Sequence, residues 1–70
     1  MSAFLYMKTK EIIKLIEADG WYEIRQKGSH KQFKHPDKKG LVTVPVHRLS
    51  NDLSPGLEKS ILKQAQIEKK

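Results

Sequence analysis

The side chains best suited to chemistry here are three histidines, and their spacing keeps them apart. An imidazole titrates near neutral pH, so one group can serve as base and as acid. His30 and His35 lie five residues apart. On a strand that odd interval points them to opposite faces. They cannot converge on one ion without a bulge, and no tight cluster of Asp or Glu joins them. The expectation is a chain that uses no metal and no cofactor. His47 reads as connecting or structural before catalytic. Around His30 runs Gln26-Lys27-Gly28-Ser29-His30-Lys31-Gln32-Phe33. Phe33 is the apolar anchor of a strand and should face the core. Ser29, Lys31 and His35 share its parity, while His30, Gln32 and Lys34 point the other way. Arg25 and Lys27 join His30 if Ile24 faces inward. An exposed His near lysines is ordinarily a solvated surface residue. The alternative is a site for a phosphodiester. RNA carries its own nucleophile, the 2′-hydroxyl. It needs a group to move that proton, cations to stabilise charge on the phosphorus oxygens, and help for the leaving group. His30 is the candidate acid/base. Arg25, Lys27, Ser29, Lys31, Gln32 and Lys34 are the candidate RNA contacts. Two proton transfers are needed, and no second group stands out; His47, Ser29 or solvent are the choices.

Length and charge bound what such a site can be. Seventy residues make one domain. A core this small rarely supplies more than about 3–5 kcal/mol of net stability. There is no room for a deep cleft, so catalysis must sit on a surface. The absence of cysteine removes disulfides, Cys-ligated zinc and thiol nucleophiles. It suits a cytoplasmic protein. No apolar run approaches the roughly 18 residues of a membrane span. The formal charge of +6 suits a polyanionic partner, nucleic acid or an acidic protein.

The elements that must position the site follow from periodicity. Thr9 to Asp19 has helical spacing of Ile12, Ile13, Leu15 and Ile16, with Thr9 as candidate N-cap and Gly20 as left-handed C-terminal residue. Trp21 to Lys27 reads as a strand, with Trp21 as partial core. Gly28 turns the chain. Ser29 to His35 is the second strand, Pro36 to Gly40 a turn, and Leu41 to Val46 the third strand. Pro45 suits an edge. His47 to Leu53 is a polar connection. Ser54-Pro55 opens a second helix whose buried stripe is Leu57, Ile61, Leu62 and Ala65. A helix, three strands and a helix bury both apolar stripes most simply with both helices on one side of the sheet. The other face, with His30, stays open.

Gly28-Ser29-His30, followed by Phe33, His35-Pro36 and Val44-Pro45-Val46-His47, resembles the HicA family of toxins. Pro55-Gly56 and Ser60-Ile61-Leu62-Lys63-Gln64-Ala65 match as well. The likeness runs from about Met7 to Ala65. It implies an α+β, double-stranded-RNA-binding-like fold, α-β-β-β-α, with a three-stranded antiparallel sheet and two helices on one face. It implies an endoribonuclease that cleaves mRNA, with His30 at the family's catalytic histidine, and a HicB-like antitoxin partner. By the family's pattern residues 1–6 are an extension or alternative start, 7–67 the domain and 68–70 a tail. Three positions depart from it. Arg48 stands where a small glycine is common. Leu57-Glu58 replaces Thr-Leu. Gln66 replaces a glycine at the end of the second helix, where a side chain fits the left-handed conformation poorly. A non-catalytic RNA-binding module of the same fold is the first rival, and a protein that only binds an acidic partner is the second. Uncut RNA would favour the first, and no RNA affinity at low salt the second.

Overall fold

The computed structural model describes residues 7–46 and 53–67. The order is α1 (Thr9–Ala18), β1 (Tyr22–Lys27), β2 (His30–Lys34), β3 (Val42–Pro45) and α2 (Pro55–Gln64). The strands form one antiparallel sheet with β2 in the middle. His47 and Arg48, like residues 1–6 and 68–70, lie outside the described residues.

One core joins the layers. Ile12 and Ile16 of α1, Phe33, Val42 and Val44 of the sheet, and Ile61, Leu62 and Ala65 at α2 form a single buried cluster. Phe33 pairs with Val42 across β2 and β3, so they share a face, and both helices cover that face. Burial of each large aliphatic or aromatic side chain is worth roughly 1.5–3 kcal/mol. Trp21 is buried too, with its indole Nε1 donating to Ala65 O at 3.2 Å. It is core rather than partial core, and it ties the first strand's entry to the last helix's exit.

Several local expectations need correction. The N-cap of α1 is Lys8, whose backbone N–H donates to Glu11 Oε1 at 2.8 Å; Thr9 is instead a buried first residue of the helix. Leu15 lies on the exposed side of α1, beyond the reach of a core only two layers thick. Leu53, assigned to a polar connection, is only 4% exposed and donates its N–H to Met7 O at 2.8 Å. It seals the core where the chain enters α2. In α2 the buried position falls on Glu58, while Leu57 packs at the rim. Ser54 caps α2 as its sequence suggests, its hydroxyl accepting from Leu57 N at 3.2 Å.

Both helices end in the same hydrogen-bond motif. At α1, Gly20 N donates to Glu17 O and Trp21 N to Ile16 O. At α2, Gln66 N donates to Lys63 O and Ile67 N to Leu62 O. These are Schellman ends. Gly20 has φ 112°; Gln66 adopts φ 57° despite its side chain. The third strand is an edge. Val46 N points into the sheet, to Ser29 O, while Thr43 N points outward and is met by Gln64 Oε1 at 3.0 Å. Pro45 shares the parity of Thr43, so its missing N–H removes no ladder bond.

Candidate functional site

The open face of the sheet is built from cross-strand neighbours. Lys27 pairs with His30 and His30 with Pro45; Arg25 pairs with Gln32 and Gln32 with Thr43; Tyr22 pairs with Lys34. Paired residues share a face. His30, Gln32 and Lys34 alternate with the buried Phe33, so all of these point away from the core. Arg25 Nε donates to Gln32 Oε1 at 2.8 Å across the strands, which fixes both side chains on this side.

Arg25 and Lys27 reach this face by an unexpected route. Strand β1 carries a bulge between Glu23 and Arg25. Ile24 occupies it and is 40% exposed, so it is not the inward anchor its sequence position suggested. The bulge resets the alternation. Glu23 before it pairs with Phe33, on the core side, while Arg25 after it pairs with Gln32 on the open side. One consequence is electrostatic. The single acid of β1 is removed from the open face and meets Lys31, whose Nζ lies 2.9 Å from Glu23 Oε1.

Four of the six expected RNA contacts therefore share His30's face: Arg25, Lys27, Gln32 and Lys34. Lys31 does not, being turned to the core side and ion-paired. Ser29 sits in the turn before β2, half-buried, its carbonyl accepting from Val46 N at 2.6 Å. His30 is exposed, and among the described residues no hydrogen bond or ion pair engages its ring. None of the described residues blocks either nitrogen from a ligand. Gly28 at φ 60° makes the tight turn that starts β2 on His30, with open space where a Cβ would stand.

His35 is the opposite case. Its side chain is 8% exposed. Its Nδ1 accepts from Asp37 N at 2.9 Å and Lys38 N at 3.1 Å. Its proton is therefore on Nε2, which donates to Asp19 O at 2.7 Å. The ring packs edge-on against Trp21 at 5.2 Å. Beside it Lys38 Nζ binds Asp19 Oδ2 at 2.6 Å and also reaches Ala65 O and Gln66 O. The Lys38 hydrogen bond, and then the positive charge of Lys38, holds the Asp19 carboxyl below its ordinary range despite partial desolvation. Among the described residues no group of three or more His, Asp or Glu is disposed to hold a metal ion. None of the described helices is long and apolar enough to cross a membrane.

Sequence reasoning passed over Tyr22, Leu41, Thr43 and Pro45 as members of the open face. The signal for Tyr22 was present: in Trp21-Tyr22 one ring facing the core leaves the other facing out.

The comparisons with known proteins point one way. A family model described as the HicA toxin of bacterial toxin-antitoxin matches residues 9–67. Among curated proteins none matches. A solved structure described as a toxin-antitoxin complex from Streptococcus pneumoniae contains a chain 34% identical to this one. The match covers 87% of this chain and 98% of that one, with a TM-score of 0.68. This chain belongs to the HicA toxin family.

Proposed function

We propose that this protein is the toxin of a toxin-antitoxin pair and acts as a metal-independent endoribonuclease on mRNA, with His30 as the general acid/base. The observation that carries the reading is an imidazole that no described residue engages, set among Arg25, Lys27 and Lys34 on the sheet face the two helices leave bare, where the described residues of the strands place no carboxylate. His30 takes the proton of the 2′-hydroxyl. The 2′-oxygen then attacks phosphorus, and the bond to the 5′-oxygen breaks. The products are a 2′,3′-cyclic phosphate and a 5′-hydroxyl, the latter protonated by solvent, Ser29 or His47. Lys27, the cross-strand neighbour of His30, and Arg25 in the next row stabilise the charge gathered on the phosphate oxygens. Lys34 holds the flanking backbone.

The test is cleavage of naked mRNA by the purified protein. Activity should survive a chelator, fail on a substrate with 2′-O-methyl groups throughout, and vanish in His30→Ala. Undiminished cleavage by a folded His30→Ala protein would sink the assignment. RNA that is bound but never cut would leave only a binding module.

The partner is a HicB-like antitoxin. A face that cannot be closed by a cleft is silenced by being covered. Acidic groups set against Arg25, Lys27 and Lys34 would do so and would speed association. Lys27→Glu with Lys34→Glu should then weaken antitoxin binding severely. Unchanged affinity of that double variant would place the antitoxin elsewhere.

A further inference from the structure

The open face is not uniform along the strands. At one end stand Lys27, His30 and Pro45; at the other, Tyr22 pairs with Lys34. Continuing the β2–β3 register one residue past Phe33 and Val42 places Leu41 beside Lys34. Val42 faces the core, so Leu41 faces out. Tyr22 is 50% exposed and Leu41 42%. The far end is thus an aromatic ring and an aliphatic side chain flanking one cation. Nothing in the fold requires this, since Trp21 already fills the core position beside Tyr22.

We propose that Tyr22 is a base-stacking platform, with Leu41 and Lys34 beside it, that holds an unpaired base of the RNA two nucleotides from the phosphate cut at His30. The inference rests on the ribonuclease reading above and adds a positioning subsite to it. Three features carry it. The first is spacing. Rows on one face of a strand lie two residues, about 7 Å, apart, which is close to the reach of one nucleotide in an extended strand. Two such spacings, with the Arg25–Gln32 row between, lead from His30 to Lys34. The second is chemistry. Every base has a π-face, and rings set among cations are the common means of holding a single strand. The third is charge. The bulge at Ile24 takes Glu23 off this face, so among the described residues the path between the subsite and His30 carries Arg25, Gln32, Lys27 and Lys34 and no acid. A polyanion fits that path better than an acid-poor protein surface would.

The experiment measures binding of a short single-stranded RNA that spans a mapped cleavage site, using His30→Ala as the uncut parent. Adding Tyr22→Ala should weaken binding about tenfold, the stacking of one base. Tyr22→Phe should retain it. Tyr22→Leu, which keeps apolar bulk and guards against a folding artefact, should behave like Tyr22→Ala. The base in question is located with 2-aminopurine, whose fluorescence should be quenched only two nucleotides from the cut. Removing that base should cancel the effect of Tyr22→Ala. Duplex RNA should be indifferent to the substitution, because its bases are not free to stack. Equal affinity of Tyr22→Ala and the parent, with wild-type protein still cleaving, overturns the subsite and leaves the ribonuclease reading standing. Loss of antitoxin binding in Tyr22→Ala with RNA affinity unchanged also overturns it and gives the patch to the protein partner. A wild-type protein that neither cuts nor binds RNA removes the reading itself.

Discussion

His30 and His35 bracket the same strand and sit in opposite surroundings. His35 has every polar atom of its ring engaged: two backbone N–H groups at Nδ1, one carbonyl at Nε2, and an aromatic edge against Trp21. It holds the end of α1 to the turn after β2. His30 has no such partner among the described residues and lies on the face the helices leave bare. The residue type is the same, so the difference is made by what surrounds it. An imidazole fully engaged by backbone is part of the scaffold. One left open among cations is available to a substrate.

Exchanging each for alanine should separate the two roles, and this is the largest effect expected. His30→Ala should lower RNA cleavage by about 10²–10⁴-fold, the usual range for a general acid/base. Its stability should change by about 0.5 kcal/mol or less, as for an exposed residue. His35→Ala should do the reverse. It leaves two backbone N–H groups and a carbonyl without partners and a void against Trp21, at a cost of roughly 2–4 kcal/mol. Cleavage should persist at temperatures where that variant is folded. Denaturant melts and single-turnover rates on both proteins decide it. If His35→Ala melts like the parent, the contrast between the two histidines fails.

Parts of this arrangement could be read from the sequence and parts could not. The order of elements, the inward parity of Phe33 and the outward parity of His30 follow from periodicity, which is a local property. The positions of Arg25 and Lys27 were inferred correctly for a reason that does not hold. They were tied to an inward Ile24, whereas a bulge at Ile24 puts them on the open face. A bulge is set by how two strands match in length and twist, and no residue in β1 announces it. Leu53 was hidden because polar neighbours surround it in sequence while tertiary contact buries it. The roles of Lys31 and Glu23 depend on one another across strands, so neither is visible in isolation.

The glycines sharpen the same contrast at smaller scale. Gly20 has φ 112°, and a Cβ there would stand 2.6 Å from His35 Nε2. Gly28 has φ 60° with nothing near the same position. Gly20→Ala meets both backbone strain and the engaged histidine, and should lose roughly 1–3 kcal/mol. Gly28→Ala meets strain alone and should lose about 1 kcal/mol. Equal losses, measured by thermal or denaturant melts, would mean that His35 gives way freely and is not a fixed part of the scaffold.

Acid should loosen the His35 region selectively. The Asp19 carboxyl is held below its usual range, chiefly by the Lys38 hydrogen bond. A group with a depressed folded pKa contributes stability that is complete above its unfolded value, about 3.9. That contribution is lost as pH falls through the folded value. Lys38→Met should therefore cost about 1 kcal/mol near neutral pH, allowing for solvent screening of a partly exposed pair. The gap between variant and parent should narrow below about pH 4. It should not close, because Lys38 Nζ also donates to Ala65 O and Gln66 O, which do not titrate in this range. A gap independent of pH would show that Asp19 is not the partner that matters.

Gln66 gives the smallest and most informative effect, because two opposing contributions nearly cancel there. A left-handed conformation costs a residue with a Cβ roughly 1 kcal/mol, which argues for glycine at this position. Yet Gln66 Nε2 donates to Lys39 O at 2.8 Å, and Gln66 O accepts from Lys38 Nζ at 3.1 Å. The side chain thus ties the end of α2 to the same turn that His35 holds from the other side. Gln66→Gly would relieve the strain, lose about 0.5–1.5 kcal/mol of hydrogen bonding, and free the unfolded chain by a similar small amount. The net change should lie within about 0.5 kcal/mol of the parent or slightly below it. Gln66→Ala keeps the strain and loses the bond, so it should fall below both. The ranking of the three melts, parent and glycine together with alanine beneath, is the expected result. A glycine variant clearly more stable than the parent would mean that the Lys39 contact contributes nothing. The turn would then be held from the His35 side alone.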